Sequence, residues 1–225
     1  MCTGLGQATA TTGELPRLEL NGPAPDFEAN TTQGVVRLSE WQKDKWVILF
    51  SHPADFTPVC TTEFVEFARQ YDEFEKKNTA LIGCSIDSIY SHIAWIRNIE
   101  QNFDVKIRFP VIPDLDQKVA RLYGMVHTPS AVTATVRCVF FIDPKRTLRA
   151  MIYYPLNVGR NFAEIMRVLD ALQTVDKYGV ACPANWTPGQ DVIIPPPVTT
   201  QAAEERVKTP DIQVTDWYFS KKQLG

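Results

Sequence analysis

Solid runs of apolar residues alternate along this chain with stretches in which apolar residues return every third or fourth position. Trp46-Val47-Ile48-Leu49-Phe50-Ser51 is such a run, the pattern of a strand covered on both faces, and Pro53, which has no backbone N–H, stops it. Beyond it the period changes. Phe64, Phe67, Ala68, Tyr71 and Phe74 recur at helical spacing and predict a helix over 61–77, with Thr61, Thr62 and Glu63 in its first turn and Lys76-Lys77 near its end, matching the dipole at both ends. Residues 80–86 predict a second buried strand, 91–100 a helix with His92, Trp95, Ile96 and Ile99 on one face, 109–112 a strand and 116–123 a short helix. Residues 35–38 read as a further strand. Residues 135–143 and 147–154 form a hairpin pattern around Asp143-Pro144-Lys145-Arg146, and 161–177 a final helix. Crossovers plus one hairpin imply an α/β protein with a mixed central sheet flanked by helices.

The pattern breaks after Tyr178. Cys182-Pro183-Ala184-Asn185-Trp186-Thr187-Pro188-Gly189 and Pro195-Pro196-Pro197 cannot continue a helix or a central strand, so residues 179–225 read as a C-terminal arm without a second core. Its aromatic end, Val214-Thr215-Asp216-Trp217-Tyr218-Phe219, is expected to dock on the body or on another subunit. The main domain is then 21–178, preceded by a flexible extension at 1–20, rich in Gly, Ala and Thr. A chain of 225 residues that is 44% hydrophobic and 22% charged can bury a full core. A net charge of −3 with no dense Lys/Arg run argues against nucleic acid or an anionic membrane as the main partner. No run is long enough to span a bilayer and no secretory leader is visible, which makes cytoplasmic the default expectation.

The cysteines are Cys2, Cys60, Cys84, Cys138 and Cys182, with no CxxC pair; the three histidines, His52, His92 and His127, form no His-x-x-x-His pair. Neither a metal nor a cofactor is expected. Cys84 and Cys138 interrupt apolar strands and read as small core residues, and Cys2 lies in the N-terminal extension. Cys60 differs: it falls between the strand at 46–51 and the following helix. Unpaired backbone N–H groups and the positive end of the helix dipole stabilise a thiolate at such a place, so Cys60 is the candidate nucleophile.

The surrounding residues, Pro53-x-x-x-Thr57-x-x-Cys60, resemble the active-site motif of the peroxiredoxins, thiol peroxidases of thioredoxin-like fold. Ser51-His52-Pro53 with Thr57-Pro58-Val59-Cys60-Thr61-Thr62-Glu63 is similar to the 1-Cys branch and to archaeal members. The likeness runs from Pro25-Asp26-Phe27 to Gly159-Arg160-Asn161-Phe162 and beyond. It implies that Cys60 attacks the peroxide, that Thr57 places its hydroxyl beside sulfur and peroxide, that Pro53 walls the pocket, and that Arg137 holds thiolate and peroxide oxygen. Glu63 and Arg160 resemble the residues that orient that arginine, and His52 the histidine beside the motif proline, near the sulfur. Taken alone, Thr57 is equally a helix cap and Arg137 an edge-strand charge.

Cys182 departs from the 1-Cys pattern. Val180-Ala181-Cys182-Pro183-Ala184-x-Trp186-x-Pro188-Gly189 resembles the resolving-cysteine segment of typical 2-Cys peroxiredoxins, and Trp217-Tyr218-Phe219 their C-terminal Tyr-Phe element, although no Gly-Gly-Leu-Gly partner is present. The resemblance implies a disulfide between Cys60 of one subunit and Cys182 of the other, in a homodimer that can assemble into a decamer, recycled by a thioredoxin-type donor. The alternatives are a 1-Cys cycle with an external thiol reductant, and a holdase chaperone. Phospholipase activity, known in some 1-Cys members, is not expected, because Lys43-Asp44-Lys45-Trp46-Val47 carries no serine nucleophile.

Overall fold

The computed structural model describes residues 18–224, so Cys2 and most of the expected extension lie outside the described residues. The chain divides into two compact units, 1–159 and 160–225.

The first unit opens with a small hairpin of β1 (Glu28–Thr31) and β2 (Gly34–Arg37), followed by the single turn α1 (Leu38–Trp41). The central sheet then takes β3 (Trp46–Ser51), β4 (Thr79–Ser85), β5 (Val111–Pro113), β6 (Arg137–Ile142) and β7 (Leu148–Tyr154) in the order β5-β4-β3-β6-β7. Strand β3 runs parallel to β4 and antiparallel to β6, so it is the line where the crossover half meets the hairpin half, and the sheet is mixed as the pattern implies. Helices α2 (Pro58–Arg69) and α3 (Tyr71–Lys76) connect β3 to β4, α4 (Ile89–Phe103) connects β4 to β5, and α5 (Lys118–Leu122) follows β5.

Every residue of β3 is buried because both sheet faces are covered. Val47 and Leu49 join Phe27, Leu38, Val119, Tyr123 and Phe140 in one cluster. On the opposite face the Phe50 ring stacks on Phe67 of α2 at 4.0 Å and meets Phe64 and Phe109 edge-on. Gly83 of β4 lies under this ring: a Cβ there would stand 3.3 Å from Phe50 Cζ and 3.5 Å from Phe64 Cζ. The stack on Phe67 blocks the ring's retreat.

The loop between β3 and α2 is tied down by a buried polar cluster. Asp55 bridges two imidazoles, taking His52 Nε2 at 2.8 Å and His92 Nδ1, from α4, at 2.8 Å, while His92 Nε2 lies 3.2 Å from the Ile112 carbonyl of β5. The Asp55 backbone N–H donates to Asp87, which also accepts from Ser85. Burial raises the Asp55 carboxyl, but the bonds from His52 and His92 outweigh it and hold it below the usual carboxylate range. Burial lowers His52, against the pull of Asp55, and keeps its imidazole neutral.

The second unit, taken by itself, begins with α6 (Phe162–Tyr178), capped by the Asn161 side chain on Glu164 N and ended by Gly179 in the left-handed region at φ 61°. It continues through β8 (Val192–Ile194), α7 (Thr200–Arg206), β9 (Gln213–Asp216) and β10 (Phe219–Lys222), with the strands ordered β8-β10-β9. The stretch read as an arm thus carries a sheet of its own and a small cluster of Val180, Trp186 and Val192, and α6, read as the last helix of the main domain, begins this unit. Trp217 and Tyr218 remain exposed, edge to face with each other. No helix among the described residues is long and apolar enough to cross a membrane.

Gly83→Ala is expected to destabilise the protein by about 1–3 kcal/mol through overpacking against Phe50, read from the urea midpoint. The unfolded chain protonates His52 near its ordinary value of about 6.5 while the folded chain resists, so this group's contribution to stability is lost as pH falls below that value. Urea midpoints measured between pH 7 and 5 should therefore fall less steeply in His52→Gln than in the wild type.

Candidate active site

Helix α2 starts three residues earlier than its apolar period indicates, because Pro58 at the first helical position already holds the φ the helix needs. Thr57 occupies the N-cap position, extended at φ −108° and ψ 146°, and Cys60 is the third residue of the helix, fully buried. The Thr57 hydroxyl does not cap the helix; it donates to the Ala54 carbonyl at 2.8 Å. The hydroxyls of Thr61 and Thr62 reach back to the carbonyls of Thr57 and Val59; Pro58 has no N–H and the Thr61 N–H donates to the Thr57 carbonyl, so the N–H groups of Val59 and Cys60 are the first-turn donors that the helix does not use. The chain enters this turn through Phe56 in the left-handed region, φ 55°, its ring exposed. That conformation costs about 1–2 kcal/mol in a bulky residue and is held by the Asp55 cluster just before it.

Across from the helix start stands Arg137, the first residue of β6, 2% exposed. Its Nη1 lies 3.3 Å from Cys60 Sγ and 2.8 Å from Glu63 Oε2. Its Nε and Nη2 both donate to the Leu156 carbonyl, at 3.0 and 2.7 Å. Glu63, 2% exposed, comes three residues after Cys60 and so shares its helix face. Four of the five guanidinium N–H groups are thereby directed, leaving one on Nη2. A fixed cation beside a sulfur can donate to oxygen arriving at that sulfur.

Pro53 is buried in the same loop. His52, also fully buried, gives Nε2 to Asp55 and leaves Nδ1 buried without a hydrogen-bond partner among the described residues; its ring packs edge-on against Phe64. Asp55, His92 and the Leu156 carbonyl were not singled out from the sequence. A histidine on an apolar helix face is the one trace of the Asp55 cluster in the pattern, and a backbone carbonyl leaves none. His52, Asp55 and His92 are also the one group among the described residues with metal-ligand donors, within 4.8 Å of one another, and each Asp55 oxygen is already paired with an imidazole.

Cys84 and Cys138 are fully buried in the central sheet, and burial raises the Cys84 thiol well above its usual value, as suits core residues. Arg160 and Cys182 belong to the second unit. Arg160 is buried; Cys182 is half-buried, its Sγ 3.7 Å from the Ala171 carbonyl, with burial raising its thiol and Arg167 opposing the rise.

Residues 20–151 match the AhpC/TSA family and residues 171–209 the C-terminal domain of 1-Cys peroxiredoxin. A peroxiredoxin of Aquifex aeolicus is 52% identical, with 93% of this chain and 98% of that protein covered. One of Methanosarcina mazei is 50% identical, with 89% and 95% covered. Among solved structures, yeast mitochondrial 1-Cys peroxiredoxin superposes with a TM-score of 0.84 at 43% identity, covering 92% of this chain and all of that one. The reduced 2-Cys peroxiredoxin of Plasmodium vivax gives 0.73 at 28%, covering 86% of this chain and all of that one. With its thioredoxin-like fold and a cysteine, an arginine and a glutamate joined at a helix start, this chain belongs to the peroxiredoxins of the AhpC/TSA family, the thiol-dependent peroxidases.

Proposed function

We propose that Cys60 is the peroxidatic cysteine and that the protein reduces hydrogen peroxide and organic hydroperoxides. The observation that carries this reading is the buried contact of Arg137 Nη1 with Cys60 Sγ. The thiolate attacks one peroxide oxygen in line; the S–O bond forms as the O–O bond breaks, leaving sulfenic acid and a hydroxide or alkoxide that takes up a proton as water or alcohol. Because the Thr57 hydrogen is committed to Ala54, its oxygen faces substrate as an acceptor, suited to the O–H of the attacked oxygen. The remaining Nη2 hydrogen of Arg137 and the N–H groups of Val59 and Cys60 serve the charge that develops on the leaving oxygen. Glu63 and the Leu156 carbonyl keep the guanidinium from rotating away. Pro53 helps to exclude water.

In the second half of the cycle, Cys182 of a partner subunit condenses with the sulfenic acid, releasing water and forming an intersubunit disulfide. A thioredoxin-type dithiol then reduces the disulfide and is itself oxidised. The Cys-Pro segment and the partial exposure of Cys182 support this reading, which requires a homodimer as the minimal unit, with the decamer as its larger assembly. One observation favours a second reading, a 1-Cys cycle: residues 171–209, which include Cys182, match the C-terminal domain of 1-Cys peroxiredoxin. The yeast relative is described as resolving its thiol through glutathione and thioredoxin systems, so an external thiol is the competing reductant.

Cys60→Ser should abolish peroxide consumption, measured as loss of hydrogen peroxide in the presence of dithiothreitol. Arg137→Met should lower the rate constant of Cys60 oxidation about 10²–10³-fold, the scale for removing a positioned donor to developing negative charge. Intact mass after one equivalent of peroxide separates the two cycles. A covalent dimer in the wild type, absent from Cys182→Ser, supports intersubunit resolution; a monomeric sulfenic acid in both proteins returns the chain to the 1-Cys cycle.

A further inference from the structure

The antiparallel ladder between β3 and β6 runs in register from Val47↔Ile142 to Phe50↔Val139. One more step in that register would set Ser51 against Cys138, but β3, still paired with β4 at Ser51, parts from β6 there as His52 and Pro53 lead into the loop that delivers Thr57 and Cys60. Side chains take over where the ladder stops. Ser51 Oγ donates to the Val136 carbonyl at 2.6 Å and accepts the Cys138 N–H at 3.1 Å. From the segment leading into β6, Thr135 Oγ1 donates to the His52 carbonyl at 2.7 Å. Ser51 is fully buried and Thr135 is 2% exposed, so bulk water does not compete for these bonds.

The two groups held by Ser51 belong to the peptide units on either side of Arg137. One hydroxyl therefore fixes the backbone before and after the arginine, and it does so from the last residue of the strand that continues into the nucleophile loop. We propose that Ser51 and Thr135 are positioning residues for the peroxidase reaction: two hydroxyls, one at the end of β3 and one just before β6, set the spacing of the Arg137 guanidinium from Cys60 where the β3–β6 ladder can no longer do so. The bonds their hydroxyls make here go to backbone groups. Their effect passes through the place of Arg137, whose Nη1 stands 3.3 Å from Cys60 Sγ, and the inference rests on the role given to Arg137 above.

Displacements of about 1 Å in a reacting constellation lower rates by up to about 10²-fold, so loss of the clamp should be visible in kinetics beyond any loss of stability. The test is a double-mutant cycle of Ser51→Ala with Arg137→Lys, read by stopped-flow fluorescence of Cys60 oxidation at 25 °C. Ser51→Ala alone is expected to slow oxidation about 10–100-fold, Ser51→Thr to restore much of the rate, and Ser51→Ala to add little in the Arg137→Lys background. Thr135→Val should behave in the same sense. Thr31→Val, which removes a hydroxyl bond to Gly34 in the outlying β1–β2 hairpin, is the control that changes stability without changing the rate. Equal slowing by Ser51→Ala in both backgrounds, or an unchanged rate in a variant that has lost stability, would overturn the proposal. If Arg137→Lys itself leaves oxidation unaltered, the arginine's role fails and the positioning claim fails with it; a slow Arg137→Lys beside a normal Ser51→Ala defeats the positioning claim alone.

Discussion

The Arg137–Glu63 ion pair is the constraint around which the site is organised. Both side chains are almost fully withdrawn from water, and a buried pair survives its desolvation cost only when the geometry is good and the remaining donors are satisfied. Here Glu63 takes one N–H at 2.8 Å and the Leu156 carbonyl takes two. The pair joins β6, α2 and the loop after β7. It also leaves a fixed cation 3.3 Å from Cys60 Sγ, so what holds the elements together also sets a guanidinium beside the sulfur.

A second buried polar cluster holds the other side of the loop. Asp55 joins two imidazoles drawn from the loop itself and from α4, and its backbone is held by Asp87. This anchoring lets Phe56 stay in the left-handed region and start α2 at Pro58, which brings Cys60 to the third helical residue. Aromatic packing of Phe50, Phe64, Phe67 and Phe109 beneath α2 supplies the rigid floor. The N-terminal end of α2 thus rests on a dry core with two polar clusters at its edges, an arrangement that holds its side chains in place.

Much of the first unit was legible because each element repeats a short-range signal. The unbroken burial of β3, the Asp143–Arg146 turn between β6 and β7, and the helical spacing of His92, Trp95 and Ile99 all survive in the structure. Where the reading differs, the missing information is non-local or conformational. The helix expected over 61–77 divides at Gln70, since Phe67 and Phe74 satisfy a helical period whether or not the axis bends between them. Strand β1, Glu-Ala-Asn-Thr, is too polar to show alternation and exists by pairing with β2. The C-terminal strands are three or four residues long amid prolines, below the length at which period distinguishes strand from loop.

By itself the sequence determined the strand, loop and helix order around Cys60, because that order depends on residue types at short spacings; that Arg137 and Glu63 belong beside Cys60 came only as an expectation from resemblance. Tertiary structure decided which of those partners meet. Arg137 lies 77 residues from Cys60 and comes to it only because β6 pairs with β3; the Leu156 carbonyl carries no side-chain signal; and Asp55 finds His92 only through the packing of α4. Such contacts are products of sheet register and burial, quantities summed over the whole chain, and no local window of sequence contains them.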